Sequence, residues 1–222
     1  SLASDLIWRQ VRRLCESKPV VALMGDQAAS GGYYVAAPAT RIVARPTTLT
    51  GSIGIWGGKF VLGELYDRLE IGHREIIRGR SADLYSELSP FDEAERQKVR
   101  QEMSETYARF KAIVAEGRGL SEERVEEIAR GRVWTGEQAV DIGLIDQLGD
   151  FQTALALAKE LAELDPDREH TVVHVTPPRE DVLPRPFPTG EAREWQALGD
   201  LFTRLTSEHV WAMAPWILRV RA

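Results

Sequence analysis

The sequence has few of the residues that support cross-links, metal sites or membrane spans. Its 222 residues include one cysteine, Cys15, so no disulfide can form within the chain. No apolar run reaches the roughly 18 residues that a transmembrane helix needs. No spacing of His, Cys, Asp and Glu is typical of a metal site. We therefore expect neither a metal ion nor a bound cofactor.

Positive charge is also in short supply. The 28 Lys+Arg residues face 34 Asp+Glu residues, which leaves a formal charge of −6. Sequence-independent binding of nucleic acid needs a basic surface that displaces counterions, so the composition argues against a nucleic-acid partner. Lysine itself is rare, with five among the 28 basic residues. The 43% hydrophobic content is ordinary and excludes a collagen-like or wholly disordered chain.

Short apolar runs alternate with amphipathic segments along the chain, which predicts an α/β fold with a mostly parallel sheet. Strands are predicted at 20–24, 41–44, 53–56, 73–77 and 171–175. Helices are predicted at 3–15, 30–37, 62–70, 122–130 and 151–163, with a long one from Asp92 to Gly117 and a short one after Thr135. Side chains suited to cap helices stand at Ser121, Thr135 and Asp150.

The composition changes after residue 164, which predicts a core over 1–164 and an extension over 165–222. The extension has the strand at 171–175, a linker with five prolines over 177–190, and a helix at 191–206. Trp211 and Trp216 follow, and they either pack on the protein or touch a membrane surface. Because the chain opens inside a predicted helix and without Met, we expect it to be part of a longer polypeptide.

The most informative stretch is DQAASGGYY at 26–34. Ser30 follows a buried strand and opens a helix, where free N–H groups can stabilise a negative oxygen. Gly31 permits close approach of a ligand to the backbone. This pattern is typical of a nucleophilic serine in acyl transfer, and the alternative is that Ser30 is only a helix cap. The G-x-S-x-G elbow does not match, since Ala28 replaces its first glycine.

A serine hydroxyl needs a general base to become a good nucleophile. The four histidines stand in no motif-like context, and we interpret them as surface or core residues: His73, His170, His174 and His209. Lys59 is the lysine nearest in sequence to Ser52, and we interpret it as a surface residue. The stretch GSIG at 51–54 is not a phosphate-binding loop, because no Gly-Lys-Ser/Thr follows it.

Several long stretches together resemble the signal peptide peptidase A (protease IV) family. They are KPVVALMGD at 18–26, AASGGYY at 28–34, PTTLTGSIG at 46–54, GRVWTG at 131–136 and GLIDQLG at 143–149. The resemblance covers about residues 1–163. It implies a ClpP/crotonase-like fold of repeated β-β-α units and a homo-oligomeric ring. It also implies a serine protease with a Ser–Lys dyad that degrades cleaved signal peptides at the membrane.

The same resemblance implies roles for particular residues. Ser30 is the nucleophile, Ser52 holds the catalytic lysine by a hydrogen bond, and the backbone N–H of Gly31 belongs to the oxyanion hole. In short family members the lysine lies in a stretch that here reads RGRSAD at 78–83. Arginine stays protonated and cannot replace it. The chain therefore resembles the carboxy-terminal half of long tandem members, whose amino-terminal half supplies the lysine.

These features predict a serine endopeptidase half-unit that acts on extended, apolar peptides, with the lysine supplied by the upstream half of the same polypeptide. We expect the full-length protein at a membrane, the bacterial inner membrane, with its catalytic part exposed. Two alternatives stay open. One is a catalytically silent module for assembly or substrate tethering, and the other is a crotonase-like enzyme that acts on acyl thioesters.

Overall fold

The computed structural model describes residues 2–165, 168 and 170–175. Residues 2–164 belong to one compact unit, and the other described residues belong to a second. The elements of the first unit, in chain order, are α1 (Leu2–Cys15), β1 (Val21–Leu23), β2 (Gln27–Ala29), α2 (Gly31–Ala36), β3 (Arg41–Ala44), β4 (Leu49–Gly51), α3 (Gly63–Arg68), α4 (Glu93–Arg118), α5 (Glu122–Ile128), β5 (Val133–Thr135), α6 (Gly136–Asp141), β6 (Gln147–Leu148) and α7 (Phe151–Leu161).

Strand pairing within the described residues is mostly parallel. β1, β3 and β6 form one sheet in which both pairs are parallel. β2, β4 and β5 form the other, where β2 and β4 are parallel and β4 and β5 antiparallel. Parallel neighbours need crossover connections, and α2 lies in the crossovers between β1 and β3 and between β2 and β4. The predicted α/β class is confirmed.

The hydrophobic core is built around residues of α2, β3, α4 and α5. Phe110 and Val114 of α4 are buried in it, while Met103 of the same helix is only half-buried. Tyr33 of α2 is fully buried, and its hydroxyl donates to the carbonyl of Leu144 at 2.7 Å. Burial raises the pKa of Tyr33, so this hydroxyl remains a neutral donor that satisfies a buried carbonyl.

Several apolar side chains of helix α1 stay exposed, although the helix packs against the rest of the unit. Its exposed apolar side chains include Leu6, Ile7 and Leu14. Trp8 instead packs edge-on against Tyr34, with ring centroids 6.2 Å apart. Asp5 accepts hydrogen bonds from the Tyr34 hydroxyl at 3.0 Å and from Arg109 at 2.6 Å. A carboxylate shared between α2 and α4 thus orients this helix.

The predicted helices of the first unit are present, and their capping residues are confirmed. The side chains of Ser121, Thr135 and Asp150 accept backbone N–H groups of α5, α6 and α7. Asp92 does the same for α4, which ends at Gly119 with a φ of 62°. These caps use contacts within one turn, which is why the sequence predicts them well.

Three predicted strands are wrong: the structure has no strand at 53–56, 73–77 or 171–175. The strand near the first of these is β4, which lies earlier in the chain, and β2 is not among the predicted strands. At 53–56, Ile53 is fully buried and Trp56 is 60% exposed at a cleft, so apolarity there does not reflect sheet pairing. At 171–175, Val173 is 73% exposed.

Most of the predicted extension lies outside the described residues. These parts are the linker at 177–190, the helix at 191–206 and both Trp211 and Trp216. The division into a core over 1–164 and an extension over 165–222 stays a prediction. In the part of the chain that the structure describes, no helix is long and apolar enough to cross a membrane.

Gly117 lets α4 lie directly against the end of α2. A Cβ at this position would collide with the carbonyl of Ala37, and overpacking of this kind costs about 1–3 kcal/mol. We expect Gly117→Ala to lower the free energy of unfolding by this amount in urea denaturation, despite the better helix propensity of alanine. Gly25→Ala is the control, because a Cβ there meets nothing within 4 Å. Wild-type stability of Gly117→Ala would contradict the close contact.

Candidate active site

Ser30 occupies a sharp turn between β2 and α2. Its φ of 52° and ψ of −114° lie outside the regions that L-residues usually adopt. Its N–H donates to the carbonyl of Gly51 at 2.8 Å, and its carbonyl accepts the N–H of Tyr34 at 2.9 Å. The sheet on one side and the helix on the other thus hold the strained backbone. Strain of this size, of order 1–3 kcal/mol, concentrates at functional sites.

This turn has the strand-to-helix form of a nucleophile elbow without the glycine pattern of one. The turn brings together the residues two before and two after the serine. A Cβ on Gly32 would lie 3.8 Å from the Cβ of Ala28, which is an ordinary contact distance. A small residue at each position therefore suffices. Ser30 makes no side-chain capping hydrogen bond to α2, so the alternative role as a helix cap is wrong.

Ser52 lies opposite Ser30 because of the register between β2 and β4. Ala29 pairs with Gly51, and the next residue of each strand is a serine. Neighbouring strands lie about 4.8 Å apart, and both serines line one cleft. Ser52 also has a positive φ, of 49°. Gly31 begins α2 beside them, and the first N–H groups of a helix have no acceptor within it.

The cleft beside the two serines has a volume of about 450 Å³. This is within the range of about 300–1,000 Å³ that is common for ligand sites. Ile55, Trp56 and Met103 form an apolar part of its lining. Of the described residues that line it, only Arg130 carries a charge. Such a lining is suited to apolar side chains of a ligand.

His209 lies outside the described residues, and the other histidines and Lys59 do not line this cleft. Among the described residues, neither a lysine nor a histidine lines it. The Nζ atom of Lys59 is buried, without a hydrogen-bond partner, and lies 4.4 Å from the ring centroid of Phe91. The surface position predicted for its charged end is therefore wrong, because an aromatic face accommodates the ammonium group. His73 lies beside Tyr66, with ring centroids 6.3 Å apart.

The far side of Ser52 is held by residues 130–132, which are not among the site residues predicted from the sequence. The N–H of Ser52 donates to the carbonyl of Arg132 at 2.7 Å, and the N–H of Gly131 donates to the carbonyl of Ile53 at 2.9 Å. A Cβ on Gly54 would lie 2.8 Å from the Cα of Gly131. The signal in the sequence is the stretch GRVWTG at 131–136. Its first glycine, Gly131, lies where the backbone of this segment meets that of Gly54.

A cluster of polar groups from α4 and α5 adjoins this segment. The carboxylate of Glu126 accepts hydrogen bonds from Lys111 at 2.8 Å, Arg130 at 2.8 Å and the Tyr107 hydroxyl at 3.1 Å. The hydrogen bonds from Lys111 and Arg130 lower the pKa of Glu126 to about 2. Burial raises the pKa of Tyr107. At neutral pH the cluster is therefore a carboxylate between two cations and a neutral phenol.

This cluster makes stability depend on pH in a defined window. The pKa of Glu126 falls from its ordinary 4.5 to about 2 on folding, so its contribution is complete above pH 4.5 and is lost as the pH falls towards 2. We expect Glu126→Gln to unfold at a lower urea concentration than the wild type at pH 7, with the difference vanishing near pH 2. The exposed Glu160→Gln is the control. A difference that is the same at pH 7 and pH 2 would refute the assignment.

The chain matches the family model for Peptidase family S49 over residues 12–165. The matched range is most of the chain and contains both serines, the cleft and residues 130–132. The match therefore identifies the class of protein as a peptidase. The chain belongs to peptidase family S49.

The chain is also similar to several curated proteins. Serine protease SPPA, chloroplastic, from Arabidopsis thaliana is 41% identical over 179 residues, which are 80% of this chain and 26% of that protein. Protease 4 from Salmonella typhi is 42% identical over 147 residues, which are 66% of this chain and 24% of that protein. The chain thus spans about a quarter of the length of these relatives.

Among solved structures, the chain resembles a ClpP1 mutant from Listeria monocytogenes. The TM-score is 0.44 with 16% sequence identity, over 69% of this chain and 68% of that one. This likeness concerns the fold alone and carries no argument about function.

Proposed function

We propose that the chain is the nucleophile-bearing half of a serine endopeptidase. The observation that carries the proposal is the pairing of Ala29 with Gly51, which places Ser30 and Ser52 side by side at one cleft. Both serines have a positive φ, so the fold maintains two strained residues at the same point. Membership of a peptidase family supports hydrolysis of a peptide bond as the reaction.

In this proposal, Ser30 attacks the peptide carbonyl while a lysine amine takes its proton. The negative charge that develops on the carbonyl oxygen is stabilised by the N–H of Gly31. The hydroxyl of Ser52 orients the lysine by a hydrogen bond. The protonated lysine then gives its proton to the leaving amine, and water releases the acyl group from Ser30 by the reverse proton path.

The lysine comes from the upstream half of the same polypeptide. Two observations support this assignment. No lysine lines the cleft among the described residues, and the chain spans about a quarter of the length of its long relatives. A lysine acts as a base only where burial or neighbouring charge lowers its pKa, so the upstream half would have to cover the cleft when it inserts the amine.

The substrates in this proposal are extended, apolar peptides such as cleaved signal peptides. The apolar side chains of Ile55, Trp56 and Met103 support this substrate class. The peptide backbone pairs with a strand edge beside Ser30, as in β-augmentation. Following the family resemblance, the full-length protein acts as a homo-oligomeric ring associated with a membrane.

Substitution of the nucleophile tests the proposal. We expect Ser30→Ala to lower cleavage of an apolar fluorogenic peptide by the full-length protein about 10⁴-fold or more, and to abolish labelling by a fluorophosphonate in intact-mass analysis. The control is Ser89→Ala, an exposed serine outside the cleft lining. Labelling that persists in Ser30→Ala would refute the nucleophile. A wild-type protein that is never labelled would favour the silent assembly module instead.

A glycine substitution separates the role of the Ser52 hydroxyl from the backbone strain at this position. Glycine accepts the φ of 49° without the steric cost of about 1–2 kcal/mol that an L-residue meets, although it loses about 0.5–1 kcal/mol in conformational entropy. We therefore expect Ser52→Gly to keep the free energy of unfolding within about 1 kcal/mol. Its kcat should fall about 10²-fold, because the lysine loses its orienting partner. A variant with full kcat would exclude Ser52 from the site.

A further inference from the structure

A short series of hydrogen bonds connects Ser52 to helix α4. The N–H of Ser52 donates to Arg132, and the N–H of Gly131 donates to Ile53, so residues 130–132 run beside the end of β4. The N–H of Arg130, at the start of this segment, donates to the phenol oxygen of Tyr107 at 3.1 Å. The side chain of Tyr107 also lines the cleft.

The segment 130–132 needs support from outside because its backbone is itself strained. Arg130 has a φ of 57°, and left-handed backbone at a non-glycine residue costs about 1–2 kcal/mol, whereas Gly131 adopts its φ of 72° without this cost. Each of its three N–H groups has one acceptor, and these are the Tyr107 hydroxyl, the carbonyl of Ile53 and the carbonyl of Ala129. The acceptor for Arg130 is the only one of the three that a side chain provides.

The Tyr107 hydroxyl is oriented by its other partners. It donates its proton to Glu126 at 3.1 Å, so its lone pairs are free to accept from Arg130. Glu126 is held in turn by Lys111 and by the guanidinium group of Arg130. The ammonium of Lys111 lies 4.7 Å from the ring centroid of Tyr107, which holds the ring itself.

We propose that Tyr107 is a positioning residue for Ser52, acting through the backbone of residues 130–132. Its oxygen fixes Arg130, the segment then fixes the turn at which Ser52 leaves β4, and the hydroxyl of Ser52 is thereby held in place for the catalytic lysine. This inference rests on the proposed role of Ser52. It gives α4 a second task besides lining the cleft.

Amide hydrogen exchange of this chain tests the physical link directly. Tyr107→Phe removes only the phenol oxygen, and we expect exchange of the Arg130, Gly131 and Ser52 amides to become about fivefold faster, the ratio that one neutral hydrogen bond supplies. The amide of Ser30 bonds to Gly51 instead and should keep its rate. Unchanged exchange at residues 130–132 and at Ser52 would overturn the inference.

Tyr66→Phe is the matched control for the amide exchange and for the kinetic measurement described in the next paragraph. Tyr66 also donates its hydroxyl to a carboxylate, that of Glu87 at 2.6 Å, but on the exposed surface and outside the cleft lining. It should leave the exchange rates at residues 130–132 and the activity unchanged. An equal effect of both variants would show a general loss of stability and would overturn the positioning role.

Kinetics of the full-length protein test the consequence for the reaction. Tyr107→Phe should lower kcat about tenfold with KM unchanged, because the substrate contacts remain while the lysine is held less well. A raised KM with unchanged kcat would mean that Tyr107 only contacts substrate, and would overturn the inference. Glu126→Gln, which keeps the phenol but weakens its anchor, should give a smaller loss of kcat and smaller exchange changes at the same amides.

The proposed function and the positioning role of Tyr107 would be refuted by different results. If cleavage does not depend on Ser30, the proposed function is wrong, and the exchange rates alone support or overturn the link from Tyr107 to Ser52. If cleavage depends on Ser30 and Ser52 while Tyr107→Phe changes neither exchange nor kcat, the proposed function stands and the positioning role is refuted.

Discussion

The parallel pairing of β2 with β4 is the constraint on which the candidate site depends. Each strand has only three residues, so few hydrogen bonds define the register that sets Ser30 beside Ser52. Thr50 reinforces it, because its buried hydroxyl donates to the carbonyl of Ala28 at 2.8 Å. Gly51 is needed on the other face, since a Cβ there would lie 2.8 Å from the Cδ1 atom of Trp134.

The helices supply the rigidity that such short strands lack. α2 follows Ser30 directly and is anchored by the buried Tyr33. α4 closes over it at the contact of Gly117 with Ala37, and it ends where Arg118 forms an ion pair with Asp146 at 2.7 Å. A strained residue persists only where its surroundings over-determine it. The helices α2 and α4 therefore stabilise the backbone at Ser30 as well as the hydrophobic core.

In the proposed function, the site works together with a lysine from another part of the polypeptide. Its cleft has an apolar lining and two serines, but no basic amine among the described residues, and Gly31 begins α2 directly after Ser30. Arg130 lines it as a cation that Glu126 already binds. A lysine that approaches from another part of the polypeptide would then meet an oriented hydroxyl and a setting that lowers its pKa by desolvation. The proposed roles of the two serines agree with membership of a peptidase family.

The sequence by itself determined the helices, their caps and the two candidate serines. Ser121 and Thr135 act within one helical turn, and the stretch around Ser30 carries a long motif, so local information suffices. Only the tertiary structure decided that a strand ends at Gly51, that the charged end of Lys59 is buried, and that Tyr107 reaches the segment beside Ser52. These features depend on contacts between segments distant in sequence, whose register and packing follow from the whole fold rather than from neighbouring residues.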